Sequence, residues 1–217
     1  MMVSVRPDEK ATARTRARYQ RLSSMYDRME GIAERRYHPW RERLWSIVTG
    51  SKVLEVGVGT GKNMSYYPKG LQVTAIDLTP GMLERARKRA VDLESKVDLQ
   101  MGDVQALSLP GASFDAAVAT FVFCSVPDPV LGLRELARVV KPGGQVLLLE
   151  HMRSANRVTG ALMDLLNPLI VRMMGANINR RTIENVKRSG LIIDRIENMG
   201  MGGIFKMIVA HVADDLT

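Results

Sequence analysis

Residues 53–61 read Val53-Leu54-Glu55-Val56-Gly57-Val58-Gly59-Thr60-Gly61, a short apolar run that ends in three closely spaced glycines. Glycine has no Cβ, so the backbone at such a turn can approach a ligand closely. The spacing G-x-G-x-G differs from the dinucleotide-binding fingerprint, because Lys62 stands where that fingerprint has its third glycine. The run therefore predicts a strand that enters a ligand-binding turn, and it disfavours a dinucleotide-dependent oxidoreductase.

Acidic residues follow the next two predicted strands. Asp77 comes at the end of the apolar run 71–76, and Asp103 follows the run 97–101. In a doubly wound sheet, ligands bind at the carboxyl ends of the strands, where an acid can accept hydrogen bonds from ribose hydroxyls. The glycines alone could merely permit a tight turn in a domain that binds no nucleotide. Features at the ends of three consecutive strands favour a nucleotide-type ligand instead.

Apolar runs alternate with helical patterns along the rest of the chain. Their near-continuous apolar character predicts parallel strands that helices cover on both faces. A helical insertion at 156–174 and a helix at 182–189 precede a closing strand pair. We therefore expect residues 49–217 to form an α/β core with a Rossmann-like, doubly wound sheet of seven strands, mostly parallel with one antiparallel closing strand. The predicted strands span 52–58, 71–76, 97–101, 114–122, 145–150, 191–198 and 205–212.

Residues 1–48 predict a separate region of basic amphipathic helices. Residues 8–36 read as one helix, which Pro39 ends, and residues 40–48 read as a second, shorter helix. Apolar side chains between Tyr19 and Ala33 share a face of about 140° on the first helix, if each residue turns by roughly 100°. A ridge of basic residues borders that face, namely Lys10, Arg14, Arg21, Arg28 and Arg35.

Two interpretations of this region stay open. The ridge and the apolar face predict binding to an anionic membrane surface. The alternative is that the apolar face packs on the core and the ridge is only solvated. Nucleic acid is disfavoured as a partner, because the ridge borders apolar residues and lacks the interleaved exposed aromatic residues that would stack on bases.

Composition and length add further expectations. The chain has 217 residues, a net charge of +8 and one cysteine, Cys124, so it cannot form an internal disulfide and a reducing compartment is expected. The Arg-rich N-terminus lacks the apolar segment of a signal peptide, and no apolar run reaches the roughly 20 residues of a membrane span. The segment 162–174 is predicted to be a buried helix rather than the wall of an acyl-chain groove. We expect a cytoplasmic monomer without metal, peripherally associated with the inner face of the cell membrane.

Three motifs resemble the class I S-adenosyl-L-methionine-dependent methyltransferases of the quinone-biosynthesis type. They are E-V-G-V-G-T-G-K-N at 55–63, D-L-T-P-G-M-L at 77–83 and G-D-V-Q-A-L-S-L-P at 102–110. The resemblance implies a class I methyltransferase fold and S-adenosyl-L-methionine as methyl donor, with S-adenosyl-L-homocysteine as product. It implies donor-binding roles for Glu55, Gly57, Gly59, Gly61 and Asn63 near the methionine moiety, Asp77 on the ribose, Leu78, Met82, Asp103 and Val104 around the adenine, and Thr120 and Phe121 closing the pocket.

Residues after the fourth and fifth strands concern the methyl acceptor. The Asn/Asp-Pro-Pro-aromatic run of nucleic-acid amino-methyltransferases is absent, since 120–125 reads T-F-V-F-C-S. The segments L-E-H-M-R at 149–153 and N-R-R-T at 179–182 put His151, Arg153 and Arg180 where a substrate would enter. A ligand-facing role is favoured for His151 over a structural one. For the two arginines, a purely solvated position is equally open.

These segments, together with Tyr19 and Tyr26, resemble the soluble bacterial phosphatidylethanolamine N-methyltransferases, and also the small lipid-droplet thiol methyltransferases. The first resemblance implies up to three methylations of a phospholipid amine, toward phosphatidylcholine. It implies that Tyr19 and Tyr26 cover the donor, that Tyr26 and His151 act at the reacting centre, where His151 orients or deprotonates the amine, and that Arg153 and Arg180 bind the lipid phosphate. Plain packing is an equal alternative for the tyrosines. A quinone precursor or a thiol stays open as acceptor, as does a donor-binding protein without catalysis.

Overall fold

A central sheet of seven strands organises the computed structural model, which describes residues 6–214 apart from the side chains of residues 28–30, 32 and 33. The strands are β1 (Lys52–Val56), β2 (Gln72–Asp77), β3 (Val97–Met101), β4 (Phe114–Thr120), β5 (Val140–His151), β6 (Ile192–Gly200) and β7 (Phe205–His211). Their order across the sheet is β3-β2-β1-β4-β5-β7-β6. β7 runs antiparallel to β5 and β6, and the other neighbouring pairs are parallel. The predicted fold is confirmed.

Alternate residues of the central strands pack into two layers of core, one on each face of the sheet. Leu54 and Val56 of β1 are buried in one cluster, together with Leu133. Val53, the neighbour that precedes Leu54 and faces the other side of the sheet, is buried in a second cluster that contains Trp45. Because both faces are covered, the strands read in the sequence as near-continuous apolar runs.

Helices cover both faces and precede the sheet. They are α1 (Glu9–Leu22), α2 (Tyr26–Trp45), α3 (Pro80–Asp92), α4 (Pro129–Val139), α5 (Arg157–Met174) and α6 (Thr182–Ser189), with short 3-10 turns at Lys62–Tyr66 and Met201–Gly203. Within residues 6–214, none of them combines the length and the apolar character that crossing a membrane requires.

The first N-terminal helix is shorter than the sequence predicts. The prediction of one helix over 8–36 is wrong, because α1 ends at Leu22 and a turn separates it from α2. At this turn the Ser23 hydroxyl donates to the Gln20 carbonyl at 2.9 Å. Such local side-chain bonds of serine compete with the regular helix and favour a bend or an end there.

The second N-terminal helix is longer than the sequence predicts. Pro39 lies inside α2, so the prediction that it ends a helix is wrong. Proline removes one backbone donor and crowds the preceding turn. The helix nevertheless continues to Trp45, because Leu44 and Trp45 are fully buried against the sheet and their burial offsets that cost.

The break between these helices divides the predicted basic ridge. A seven-residue repeat aligns side chains only along an unbroken helix. Arg14 and Arg21 lie on α1 and are exposed, whereas Arg35 lies on α2. The side chains of Arg28, Ile32 and Ala33 lie outside the described residues. The arginines therefore belong to two helices rather than to one ridge.

Two other predictions need correction. The segment 162–174 forms most of α5, but the prediction that it is buried is wrong, because Gly160 is the buried residue of this helix. Strand β5 begins at Val140, earlier than the predicted 145, since Val140 pairs with Phe114 before a bulge interrupts the ladder. The bulge holds a lysine, a proline and two glycines, at positions 141–144.

Candidate active site

A pocket opens at the carboxyl edge of the sheet, the place where ligands of doubly wound sheets bind. The turn after β1, the end of β2 and the end of β4 all contribute to its wall. It brings together most of the predicted donor-binding residues, namely Tyr19, Tyr26, Gly57, Gly59, Asp77, Leu78, Met82, Asp103, Val104, Thr120 and Phe121.

The glycine turn after β1 lies close to the loop after β4 at one glycine and faces the open pocket at another. Gly57 has φ +64° and Gly59 has φ +57°, in the left-handed region that favours glycine. A Cβ on Gly57 would lie 2.5 Å from Val122 Cγ2, so this glycine lets the loop after β4 come close. At Gly59 the nearest atom would be 3.9 Å away, a backbone oxygen, so the space in front of it is open to a ligand.

Asp77 joins the glycine turn to the end of β2. Its Oδ2 accepts a hydrogen bond from the Gly59 amide at 2.9 Å, and its Oδ1 accepts one from the Thr79 amide at 2.8 Å. Burial raises the pKa of this carboxyl, and the backbone donors oppose that rise. The carboxylate is therefore held in place by two amides while it lines the pocket.

Asp103 is held by residues that the sequence did not single out. The backbone amide of Gln105 donates to Asp103 Oδ1 at 2.9 Å. The hydroxyl of Thr12, on α1, donates to Asp103 Oδ2 at 3.4 Å. Gln105 and Thr15 also line the pocket. Gln105 lies inside the quoted motif at 102–110, which is the one signal that could have identified it. Thr12 and Thr15 come from a distant helix and carried no such signal.

A buried polar network lies behind the glycine turn. Glu55 Oε1 accepts from Asn63 Nδ2 at 2.6 Å, and Glu55 Oε2 accepts from the Tyr67 hydroxyl. Asn63 Oδ1 in turn accepts from Arg41 Nη1 of α2 at 2.7 Å. Burial raises the pKa of Glu55 to about 7. Glu55, Asn63 and Gly61 thus support the turn and are not part of the pocket lining.

The N-terminal helices close one side of the pocket. Tyr19 of α1 and Tyr26 of α2 line it, with ring centroids 6.5 Å apart. Lys62 Nζ lies 5.7 Å from the Tyr26 ring centroid, within cation–π range. Gln20 Oε1 accepts from the Gly81 amide at 2.9 Å, which ties α1 to the start of α3. The N-terminal helices therefore contact each other and the core through both aromatic and polar contacts.

His151 lies near the pocket but does not line it. It is half-buried at the end of β5, and its Nε2 has no hydrogen-bond partner among the described residues. Burial lowers the pKa of this histidine to about 4, although the backbone of Asn177 opposes that change. The imidazole is consequently neutral at pH 7, with one ring nitrogen left to accept or donate a bond.

Glu150, the residue before His151, was missed by the sequence reasoning. It is fully buried, and its Oε1 accepts from the Val122 and Phe123 amides at 2.8 Å and 2.9 Å. Phe121, just before them, has φ +58° and lines the pocket. A non-glycine residue in this conformation is strained and needs support from its surroundings. Glu150 supplies that support through the two amides that follow.

Arg153 and Arg180 meet in a second, basic cavity of about 570 Å³. Arg153 pairs with Asp164 of α5, with Nη2 and Oδ2 2.8 Å apart. Arg180 Nη2 donates to the Val126 carbonyl at 2.7 Å, and Val126 lines the first pocket. Arg181 and Lys206 add positive charge to the cavity, and Glu184 adds one negative charge. Arg180 therefore links the second cavity to Val126 in the wall of the first.

Several buried side-chain nitrogen and oxygen atoms, including one of Arg180, have no hydrogen-bond partner among the described residues. Within residues 6–214, Arg180 Nε, Thr182 Oγ1 and Glu150 Oε2 are buried without a hydrogen-bond partner. Buried polar groups are normally satisfied, so such atoms point to an absent polar ligand or water. The same described residues contain no group of three or more histidine, cysteine or acidic side chains arranged to hold a metal ion.

Comparisons with known proteins agree with this geometry. Residues 54–148 match the family model described as a methyltransferase domain. Phosphatidylethanolamine N-methyltransferase of Cereibacter sphaeroides is 40% identical over 47% of this chain and 51% of its own length. Demethylmenaquinone methyltransferase of Staphylococcus aureus is 36% identical over 61% of this chain and 58% of its own length. The chain thus spans a little over half the length of these curated relatives.

A solved structure has the same fold over most of the chain. It is an S-adenosylmethionine-dependent methyltransferase of Thermotoga maritima, with a TM-score of 0.69 and 20% identity, and the match covers 89% of this chain and 98% of that one. At this identity the likeness concerns the fold alone.

Proposed function

We propose that this chain, which carries a class I S-adenosylmethionine-dependent methyltransferase domain, methylates the amine of phosphatidylethanolamine and of its mono- and dimethyl forms, toward phosphatidylcholine. The observation that carries the acceptor is the basic cavity whose Arg180 donates a hydrogen bond to the carbonyl of Val126, a residue of the main pocket wall. The 40% identity to a phosphatidylethanolamine N-methyltransferase, although partial, supports the same choice. The reaction would take place at a membrane surface on the cytoplasmic side, with the enzyme as a monomer.

The main pocket fits the methyl donor on its own residues. Open space in front of Gly59 admits a ligand where a side chain would fill it. Asp77 and Asp103 present carboxylates at the ends of β2 and β3, suited to hydroxyl and amine donors of a nucleoside. S-adenosylmethionine, when bound, supplies an electrophilic methyl group on a sulfonium. Tyr19 and Tyr26 cover the pocket and exclude water from it.

The basic cavity fits a phosphodiester. Guanidinium groups bind phosphate oxygens through two parallel hydrogen bonds, which a lysine cannot do. Arg180 keeps its Nε unpartnered among the described atoms, and Arg153 is half-buried beside it, engaged with Asp164. A phosphate bound in this cavity would be separated from the main pocket by the Arg180 side chain. The short ethanolamine arm of the lipid would then extend from the phosphate toward the methyl donor.

His151 suits an orienting role better than proton storage. An ammonium has no lone pair, so the substrate amine must lose a proton before it attacks the methyl group. With a pKa of about 4, His151 is neutral and its free Nε2 can accept a hydrogen bond from the amine. It is too weak a base to retain the proton, which would pass on to water. Tyr26 would act beside it by closing the reacting centre.

A transfer assay tests the proposal. Purified protein and methyl-labelled S-adenosylmethionine are mixed with vesicles that contain phosphatidylethanolamine or its mono- or dimethyl form. We expect label in the lipid fraction, and about tenfold or more loss of transfer in Arg180→Gln with unchanged donor affinity. Arg188→Gln, at an exposed arginine of α6, is the matched control. If none of the three lipids is labelled above the blank, the lipid proposal is wrong.

A second acceptor class is favoured by one observation. The demethylmenaquinone methyltransferase matches a longer part of this chain, 61% compared with 47%. A quinone precursor would place an apolar ring at the aromatic rings of Phe121 and Phe205, which lie 5.9 Å apart. A thiol would need the same apolar surroundings. Label in a demethylated naphthoquinol or in a small thiol, without label in lipid, would establish this alternative.

A further inference from the structure

Helix α5 is a complete helix with almost no core packing. Asn156 caps its start, with Oδ1 accepting from the Val158 and Thr159 amides at 3.0 Å and 3.1 Å. Gly175, at φ +84°, ends it in the left-handed conformation typical of helix C-termini. Between these caps Gly160 is the buried residue. The helix therefore owes its formation to caps and local propensity, and most of its side chains are left for another contact.

One face of α5 is apolar and exposed along the whole helix. Val158, Leu165 and Leu169 are 80%, 76% and 57% exposed. With roughly 100° per residue, six of the seven large exposed apolar side chains of α5 fall within about 100° of the helix circumference, and Met174 lies outside this arc. We call this set the α5 apolar face; its members are Val158, Leu162, Leu165, Leu166, Leu169 and Met173. A contiguous exposed apolar face of this kind marks an interaction surface.

Polar bonds determine which side of α5 faces the protein. Asp164 pairs with Arg153 and accepts from Asn179 Nδ2 at 3.0 Å. Asn167 Oδ1 accepts from the Ile178 amide at 2.9 Å. These side chains lie on the side opposite the α5 apolar face. The usual arrangement of a surface helix, with the apolar side inward, is thus inverted here, and the inversion is held by specific hydrogen bonds.

We propose that the α5 apolar face inserts into the interface of an anionic phospholipid membrane. Charge supports this occupant, because Arg157 and Arg172 are exposed on α5, while its single acid, Asp164, is paired with Arg153. An apolar face with basic flanks binds anionic lipid in two ways, by burying apolar surface and by electrostatic attraction to the headgroups. A helix of 18 residues, about 27 Å long, lies along such an interface.

The surroundings of α5 carry the same charge. Gly175 at its end packs against Arg18 of α1, since a Cβ there would lie 2.6 Å from Arg18 Cδ. Arg181 and Lys206 line the basic cavity beside the start of the helix, with Arg153 bridging cavity and helix. An apolar protein partner would not need this basic surrounding. Anionic headgroups around an inserted apolar face, by contrast, are attracted to such basic residues.

This inference deepens the proposed function and rests on it in one respect, the choice of a lipid as acceptor. Inserting the α5 apolar face would hold the basic cavity at headgroup level, because Arg153 is bonded to Asp164 of the same helix. A phospholipid could then reach Arg153 and Arg180 without leaving the membrane. Membrane binding by α5 does not itself require phosphatidylethanolamine, so the two proposals can fail separately.

Vesicle association of the full chain tests the inference. The vesicles contain phosphatidylglycerol and phosphatidylcholine but no phosphatidylethanolamine, so binding is measured without an acceptor. We expect Leu165→Asp with Leu169→Asp to lower the partition coefficient by about tenfold or more, since two apolar side chains lose their transfer into lipid. Val91→Asp, on α3 and equally exposed at 76%, should bind as wild type does. Unchanged donor affinity in calorimetry reports that each variant is folded.

A label shows whether α5 itself enters the lipid. Leu165→Cys is modified with an environment-sensitive fluorophore, while Cys124 is buried and stays unlabelled. We expect a blue shift on addition of the vesicles, and none for a label at Val91→Cys. No shift at position 165, or equal vesicle binding of the aspartate double variant, would overturn the inference even if phosphatidylethanolamine is methylated. Self-association in solution that the double variant abolishes would also overturn it, in favour of a second copy as occupant.

Discussion

Glu55 and Glu150 occupy corresponding places on the two strands that flank β4. Each is the residue before the last in its strand, each is buried, and burial raises the pKa of each carboxyl to about 7. Their partners differ. Glu55 has a side-chain donor on each oxygen, from Asn63 and Tyr67, and this network reaches Arg41 of α2. Glu150 holds two backbone amides with one oxygen, and its other oxygen has no partner among the described residues.

The difference separates the two sides of the candidate site. On the β1 side, glycines, Asp77 and the Glu55 network form a closed support for the methyl donor. On the β5 side, Glu150 Oε2, His151 Nε2 and Arg180 Nε are buried atoms without a hydrogen-bond partner among the described residues. Unsatisfied buried groups are costly and are retained where a ligand completes them. The β1 side, which we call the donor side, is thus complete in the protein alone. On the β5 side, where we propose that the acceptor binds and which we call the acceptor side, the unsatisfied atoms are left for a substrate to complete.

The largest expected effect is on the donor side. Asp77→Ala should weaken binding of S-adenosylmethionine and S-adenosylhomocysteine by about 100-fold or more, because it removes two charge-assisted bonds, to Gly59 and Thr79, and a carboxylate of the pocket wall. Calorimetric titration measures the change. Asp98→Ala, at an exposed acid of β3, should leave the affinity as it is. Unchanged affinity in the Asp77 variant would mean that the donor does not bind at this edge.

Stability as a function of pH probes the acceptor side. The raised pKa of Glu150 means that the folded protein retains a proton which the unfolded chain releases above about pH 4.5. The stabilisation of the folded state by this proton is fully present below about pH 4.5 and is lost as pH rises through about 7. The stability of wild type relative to Glu150→Gln should therefore fall by up to about 3 kcal/mol across this window. Denaturant unfolding at several pH values measures it.

The control for that series is Glu42→Gln, at an exposed glutamate of α2. Its stability curve should run parallel to that of wild type. Parallel curves for wild type and Glu150→Gln would instead show that Glu150 is ionised in the folded protein. The unpartnered oxygen would then need a cation beside it, and the contrast with Glu55 would disappear.

Substitution in the glycine turn tests the closed support. Gly57→Ala should lower the free energy of unfolding by about 2 to 4 kcal/mol, from a positive φ and an overlap with Val122. Gly70→Ala, with φ +86° and nothing within 4 Å, carries the backbone cost alone and should lose about 1 kcal/mol. Thermal or denaturant unfolding compares them. Equal losses would show that the loop after β4 does not press on the turn.

The smallest effect concerns the N-terminal cover. Thr12→Val removes a hydroxyl that donates to Asp103 and accepts from Gln105 Nε2 at 3.1 Å. Donor affinity should fall by about two- to fivefold, the value of one or two part-exposed hydrogen bonds. Thr159→Val on the exposed side of α5 is the matched control. Identical affinities in both variants would mean that α1 does not support the donor side.

Much of the donor side could be predicted from the sequence. The glycine turn, Asp77 and Asp103 can be recognised in the sequence, because a positive φ and a strand end are local properties that residue types reveal. Glu55 and Asn63, for which the resemblance implies donor binding, lie behind the glycine turn and outside the pocket lining. Gln105, Arg41 and Glu150 act through partners far away in the chain, so their roles depend on a geometry that no local pattern contains.

By itself, the sequence determined the seven-stranded α/β sheet, the turn after β1 and the acids at the strand ends, since alternation of apolar runs and glycine spacing are properties of short segments. Only the tertiary structure decided the break at Ser23, the continuation of α2 through Pro39, and the direction in which α5 faces. A periodic pattern tells which side chains share a face of a helix. Whether that face turns inward depends on contacts such as those of Asp164 with Arg153 and of Asn167 with Ile178, which join the helix to segments outside it, beyond the reach of its own periodic pattern.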